Sequence, residues 1–265
     1  MSHFGELLRR HRSARACSQE RLARDAEVSA RHVSFLETGR ASPSREMVLL
    51  LSSALDLPLR ERNALLLAAG FAPAYRESEL SSPALREVRH ALERVLAQQE
   101  PYPAVVFDRY YQVRMTNGAA ARMMGMLLDA SAPPEVLGNA MHASLSPLGF
   151  RPWLVNFDEV AAMLIARLAR EQALEPDDAA LRALLDASLA YPDVAALLAR
   201  AGTLAAERPF VEVHIKKGPI EARFFTMLTT LGTPMDVTAQ ELRIETYFPA
   251  DDATDRLARA AIATA

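Results

Sequence analysis

The sequence predicts a mainly α-helical chain with an α+β second domain. Three observations predict it. Residues 1–72 read as short helices that begin at Ser and stop at tight turns. Strand-like runs of β-branched and aromatic residues appear only after residue 100. The charge divides at the same place: residues 1–72 hold 11 Arg against 8 Asp and Glu, and the remaining 193 hold 19 Lys and Arg against 25 Asp and Glu. A cationic N-terminal part on an acidic body suits contact with phosphate at one end only.

The first elements are the clearest. Ser18 is a fit N-cap for a helix through Gln19-Glu20-Arg21-Leu22-Ala23, because its hydroxyl takes one of the four N–H groups a helix start leaves unpaired. Leu22, Ala23 and Ala26 form an apolar stripe at helical spacing. Ser29 caps a second helix, Val33 and Leu36 face inward, and Gly39 ends it where φ > 0 is needed. Ala30, Arg31, Ser34 and Phe35 are left pointing outward, as a surface that enters DNA would require. Further helical signals run through Ser44–Leu55 and Pro58–Ala69, with Pro58 in a favourable first-turn position.

At Ser18-Gln19, Leu22-Ala23, Val28-Ser29, Leu36-Glu37, Gly39-Arg40 and Pro43 the chain resembles the Xre family of helix-turn-helix regulators, over roughly residues 3–72. The resemblance implies a five-helix, lambda-repressor-like domain that binds double-stranded DNA. It implies contact by Gln19, base reading by Ala30, Arg31, Ser34 and Phe35, and phosphate contact by Arg40, with Ser29 and His32 at the same surface. It further implies a buried pair bracing the domain, Arg12 with Glu37, and a structural Gly39. Two positions depart from the family. Glu27 stands where relatives often have Gly, so a left-handed turn there costs about 1 kcal/mol. Phe35 replaces a polar base reader, and either meets a thymine methyl or tucks into the core.

Composition bounds the rest. At 265 residues, half of them apolar, the chain buries a sizeable core and is expected to form two domains. Glu6 and the Arg residues after it interrupt any signal-like apolar run. No stretch reaches the roughly 18 apolar residues of a membrane span. The single cysteine, Cys17, excludes an internal disulfide and reads as a small buried residue. The expectation is a soluble cytoplasmic protein with no membrane partner.

The expected boundaries are 1–72 for the helix-turn-helix domain, 73–99 for a linker and connector helix, 100–250 for the second domain and 251–265 for a C-terminal helix. The connector, about Ala84–Gln98, carries Leu85, Val88, Leu92, Val95 and Leu96. Strands follow at Tyr102–Asp108 and Gln112–Asn117, and Asn117 is most simply the cap of the next helix. Helical segments are expected at Pro134–Ala143, Asn156–Leu174, Asp177–Ala190 and Pro192–Ala201. Strands return at Val211–Lys217, Glu221–Leu231 and Leu242–Phe248. Two strands, a helical block and three more strands make an antiparallel sheet of about five strands with helices on one side.

That order resembles the PAS-type ligand-binding domain of MmyB-like regulators, over about residues 100–250. Its anchors are Phe107-Asp108-Arg109, Met115-Thr116-Asn117, Arg151-Pro152-Trp153, Tyr191-Pro192-Asp193 and Ile244-Glu245-Thr246-Tyr247-Phe248-Pro249. The resemblance implies a small apolar ligand such as a fatty acid. Candidate ligand residues are Phe107, Met115, Asn117, Met123, Met124, Trp153 and Met163. Methionine adapts to flexible ligands, yet the same residues fill ordinary cores, and both readings stand. Trp153 is either a cavity wall or an interdomain contact. Arg114 reaches a carboxylate only if it faces inward.

An enzyme is not expected. G-x-S-x-G, G-x-G-x-x-G, P-loop and H-E-x-x-H patterns are all missing, and the six histidines show no metal-ligand spacing. Neither a catalytic residue, a required cofactor nor a metal is assigned. The expected protein is a homodimeric regulator whose second domain senses a ligand. The alternative is a constitutive DNA binder whose second domain serves only dimerisation or protein contact.

Overall fold

A computed structural model of the chain describes residues 2–198 and 210–263, excepting the side chains of 262 and 263. The chain divides into two compact units, Met1–Leu85 with Gly232–Gln240, and Arg86–Leu231 with Glu241–Ala265.

The first unit holds five helices: α1 His3–Ala14, α2 Gln19–Asp25, α3 Ala30–Thr38, α4 Arg45–Ala54 and α5 Leu59–Ala68. Ser2, Ser18, Ser29 and Ser44 cap the first four by accepting a backbone N–H. Helix α5 starts after Pro58 and has no such cap of its own. Each helix is followed by a left-handed residue: Ala16, Glu27, Gly39, Asp56 and Gly70. At Glu27 the following Val28 N–H returns to the Ala23 carbonyl at 2.8 Å, so the turn keeps its helix-closing hydrogen bond without a glycine. Leu8, Leu22, Val33, Leu36, Leu51 and Leu65 are fully buried in the core of this unit, and Cys17 is buried with them. Gly5 lets α1 approach α3: a Cβ there would lie 2.5 Å from the Glu37 carbonyl oxygen.

The unit is discontinuous in sequence. Gly232–Gln240, expected inside the second domain, belongs to the first unit. Arg76 bridges Asp236 in parallel, and the Val237 N–H donates to the Arg76 carbonyl at 2.8 Å.

The second unit opens with α6 Arg86–Gln99 and builds one antiparallel sheet from β1 Ala104–Phe107, β2 Val113–Thr116, β3 Val213–Lys217, β4 Ile220–Thr229 and β5 Arg243–Pro249, in the order β2-β1-β5-β4-β3. The expected five-stranded antiparallel sheet is thus present, with no strand end shifted by more than two residues. Between β2 and β3 lie α7 Gly118–Leu127, α8 Pro134–Gly138, α9 Ala140–Leu145, α10 Phe157–Leu174, α11 Ala179–Leu189 and α12 Val194–Leu197. The single helix expected over Pro134–Ala143 is two. Asn139 breaks it, its side chain accepting from the Met141 and His142 N–H groups and donating to the Tyr110 carbonyl. The expected helix Pro192–Ala201 is seen over Val194–Leu197, and 199–201 lie outside the described residues. A short helix α13 Val237–Glu241 was not expected, and the chain closes with α14 Asp252–Ala263.

Register puts the functional face together. Val105 pairs with Glu245 and Phe107 with Arg243 across β1 and β5, so alternate residues of both strands share the face that carries the helices. That face buries Phe107, Tyr111, Met141, Leu145, Ile165 and Leu168.

Candidate DNA-reading surface and ligand cavity

Helix α3 offers Arg31 exposed and Ala30, His32, Ser34 and Phe35 half-buried, with exposed Ser29 before it and exposed Arg40 after it. Phe35 is half-buried, so it is not tucked fully into the core. Its ring lies beneath two guanidiniums, Arg31 at 5.1 Å and Arg40 at 5.9 Å from the centroid. Stacking on the negative face of the ring holds both cations on one side of the helix.

Behind this surface the Arg12–Glu37 pair is present as expected. Arg12 Nε donates to Glu37 Oε1 at 2.6 Å and Nη2 to Oε2 at 3.0 Å, a two-pronged pairing with Glu37 buried. This hydrogen bond holds the Arg12 guanidinium above its ordinary pKa against the cost of burial. Gln19 joins the same pair, its amide donating to Glu37 Oε2 at 2.7 Å. Its side chain is therefore committed to the brace in the free protein. Gly39 adopts φ 77°, the left-handed turn assigned to it.

In the second unit, a cavity of about 40 Å³ lies between the sheet and helices α7, α9 and α10. Phe107, Met123 and Met124 line it, as expected. The other four candidates do not. Asn117 caps α7, accepting from the Ala120 N–H at 2.9 Å, and also donates to the Tyr102 carbonyl. Trp153 packs against the core and donates its indole N–H to the Leu127 carbonyl at 2.8 Å. Met163 packs on the core without lining the cavity, and Met115 is a half-buried residue of β2 opposite Val106. Arg114 is exposed and pairs with Asp108 at 2.6 Å.

The cavity also holds polar groups that were not expected: Arg167 from α10, Glu245 and Tyr247 from β5, and Tyr111. Arg167 Nε is buried and has no hydrogen-bond partner. Burial pushes the Glu245 carboxyl above the usual carboxylate range, opposed by the charge of Arg167, and lifts the Tyr247 phenol in the same way. Tyr111 has the left-handed φ of 61°, unusual for a bulky side chain. The turn is held by Asp108 Oδ1, which accepts from the Tyr110 and Gln112 N–H groups. It stacks Tyr111 on Phe107 at 5.2 Å and sends its hydroxyl to Glu171 at 3.2 Å. Burial pushes that phenol up to about 12.

Residues 88–260 match the family described as the MmyB-like transcription regulator ligand-binding domain, well over half of the chain. The chain belongs to the MmyB-like transcription regulator family. Residues 3–65 match a helix-turn-helix domain, the region of α1 to α5. Together the two matches make this MmyB-like regulator a DNA-binding transcription regulator with a ligand-binding domain. No curated protein matches it. One solved structure, titled as that of an RNA-binding light-oxygen-voltage receptor, aligns at 14% identity and a TM-score of 0.27. The alignment covers 98% of this chain and 62% of that one, and it bears on neither fold nor activity. No described helix of the regulator is long and apolar enough to cross a membrane.

Proposed function

We propose that this chain is an Xre-type, sequence-specific regulator whose PAS-like domain takes a small apolar ligand ending in an acid, a fatty acid being the class that fits. The observation carrying the ligand half is Arg167. A guanidinium with a buried, unpartnered Nε on the wall of an apolar cavity offers a carboxylate a charge-assisted hydrogen bond. Burial pushes the carboxyl of neighbouring Glu245 above the usual carboxylate range, which favours its uncharged form and so reduces its repulsion of the same head group.

The role is binding rather than catalysis, in the cytoplasm, with a homodimer presenting two α3 helices about 34 Å apart. Ligand acts on DNA affinity by linkage: it shifts the equilibrium only by its differential affinity for conformations that bind DNA differently. Solvent extraction of the purified protein followed by mass spectrometry tests this. The expected result is a co-purified acid whose removal and return change both melting temperature and DNA affinity. If no acid co-purifies and added fatty acids change neither quantity, the second unit serves association instead. Exposed Phe210, Met227 and Leu228 are what favours that alternative.

The roles within α3 are tested separately. Arg31→Ala should lose discrimination between operator and random DNA, by about 1–3 kcal/mol. Arg40→Ala should weaken binding to both evenly and reduce its salt dependence. Equal behaviour of the two variants overturns these assignments.

A further inference from the structure

A second, larger cavity of about 180 Å³ lies on the same side of the sheet, under the C-terminal helix α14. Its walls are Ile215, Ala222 and Phe224 of the sheet, Leu127 of α7, and Ala258 and Ala261 of α14. The lining is almost wholly apolar. Met123 of α7 is common to this cavity and to the one holding Arg167 and Glu245. Methionine has three rotatable bonds and changes shape at little cost, so this shared wall is a movable one.

We propose that the two cavities are compartments of one site, joined when Met123 swings aside: an acid head beside Arg167 and an unbranched chain running under α14. The inner cavity alone is too small for more than a few methylenes, while the outer one has volume but polar lining residues that are already engaged: Arg122 pairs with Glu100 at 3.3 Å and Thr254 accepts from the Arg223 N–H. Helix α14 is then a wall of the site. It is held in place by Thr254 Oγ1, which accepts from the Arg223 N–H at 2.9 Å, and by Asp255, bonded to the Tyr102 hydroxyl and paired with Arg259 at 3.0 Å. Its inner residues Ala258 and Ala261 are small, which leaves the space open.

This inference rests on the acid-binding reading above, and one titration separates the two. The full chain, stripped of lipid, is titrated calorimetrically with octanoate, decanoate and dodecanoate. Each methylene moved from water into an apolar site strengthens binding by about fourfold. Wild type should therefore gain about 200-fold or more from octanoate to dodecanoate. Ala258→Trp and Ala261→Trp fill the outer compartment, and each should cut that gain to about tenfold or less. Ala261 is exposed, so a larger side chain there does not overpack the core and its variant keeps the test open if Ala258→Trp fails to fold by circular dichroism. A wild-type gain kept by both variants, or missing from wild type that still binds octanoate, overturns the two-compartment site alone. Wild type that binds none of the three acids overturns the acid-binding reading, and this one with it.

Discussion

Arg31 lies over the ring of Phe35 with its guanidinium carbon 5.1 Å from the centroid, and Arg40 approaches the same ring from the next turn of chain. The aromatic residue in a base-reading position thus organises cations. Phe35→Leu keeps the apolar body and removes the ring face. It should weaken operator binding by roughly 2- to 30-fold, the range of one or two cation–π contacts, with the melting temperature nearly unchanged. Gel-shift titration at fixed salt checks this. An unchanged affinity would show that the arginines find their phosphates and bases without the ring.

Gly5 sets the spacing of α1 and α3. A Cβ there meets the Glu37 carbonyl oxygen at 2.5 Å and the Leu36 carbonyl oxygen at 2.7 Å, both backbone atoms with little freedom to yield. Gly5→Ala should destabilise the first unit by at least about 1–3 kcal/mol through overpacking, and DNA binding should fall with it. Chemical denaturation followed by circular dichroism gives the value, and a stability within 0.5 kcal/mol of wild type, taken as about the noise of surface changes, would refute it.

The Leu59 N–H at the start of α5 has no local cap, and Gln240 Oε1 accepts it at 2.7 Å. Gln240→Ala should therefore cost about 1 kcal/mol, the usual worth of an N-cap. The loss should appear in hydrogen exchange at the first turn of α5, with α2 and α3 unaffected. Faster exchange spread evenly over all five helices would contradict this local role.

The Glu245 carboxyl is pushed up by burial beside Arg167. A carboxyl whose folded-state pKa lies above its unfolded value stabilises the fold below the unfolded pKa. That contribution is lost as pH rises through the folded pKa. The ligand-free Glu245→Gln variant should then melt higher than wild type at neutral pH, with the difference vanishing near the ordinary glutamate pKa of about 4.3. Melting curves across that range decide it, and a variant that melts lower at neutral pH would reverse the sign.

Much of this was legible in the residues because the physics is local. Ser18 and Ser29 announce helix starts through hydrogen bonds three residues long, and Asn117 reads as a cap for the same reason. Arg12 with Glu37 was legible only through family resemblance, since 25 residues separate the partners. Asn139 was a missed signal: Gly138-Asn139 is a breaker pair inside an otherwise helical run. Arg167 left no trace at all. An arginine in a long amphipathic helix reads as solvated until the sheet is built beneath it. Trp153 and Met163 were drawn toward the cavity by residue type, yet placement in the packed fold decides lining, and neither lines it. The return of Gly232–Gln240 to the first unit was equally hidden, because pairing across 158 and 181 residues leaves no local pattern.

That return has a consequence for how the protein comes into being. During synthesis the five N-terminal helices leave the ribosome long before Gln240 does. Until then the Leu59 N–H has only water to satisfy it. The DNA-reading unit completes itself only after almost the whole ligand domain has been translated. A chain broken off before Gln240 carries the complete recognition helix but leaves the start of α5 without its side-chain cap.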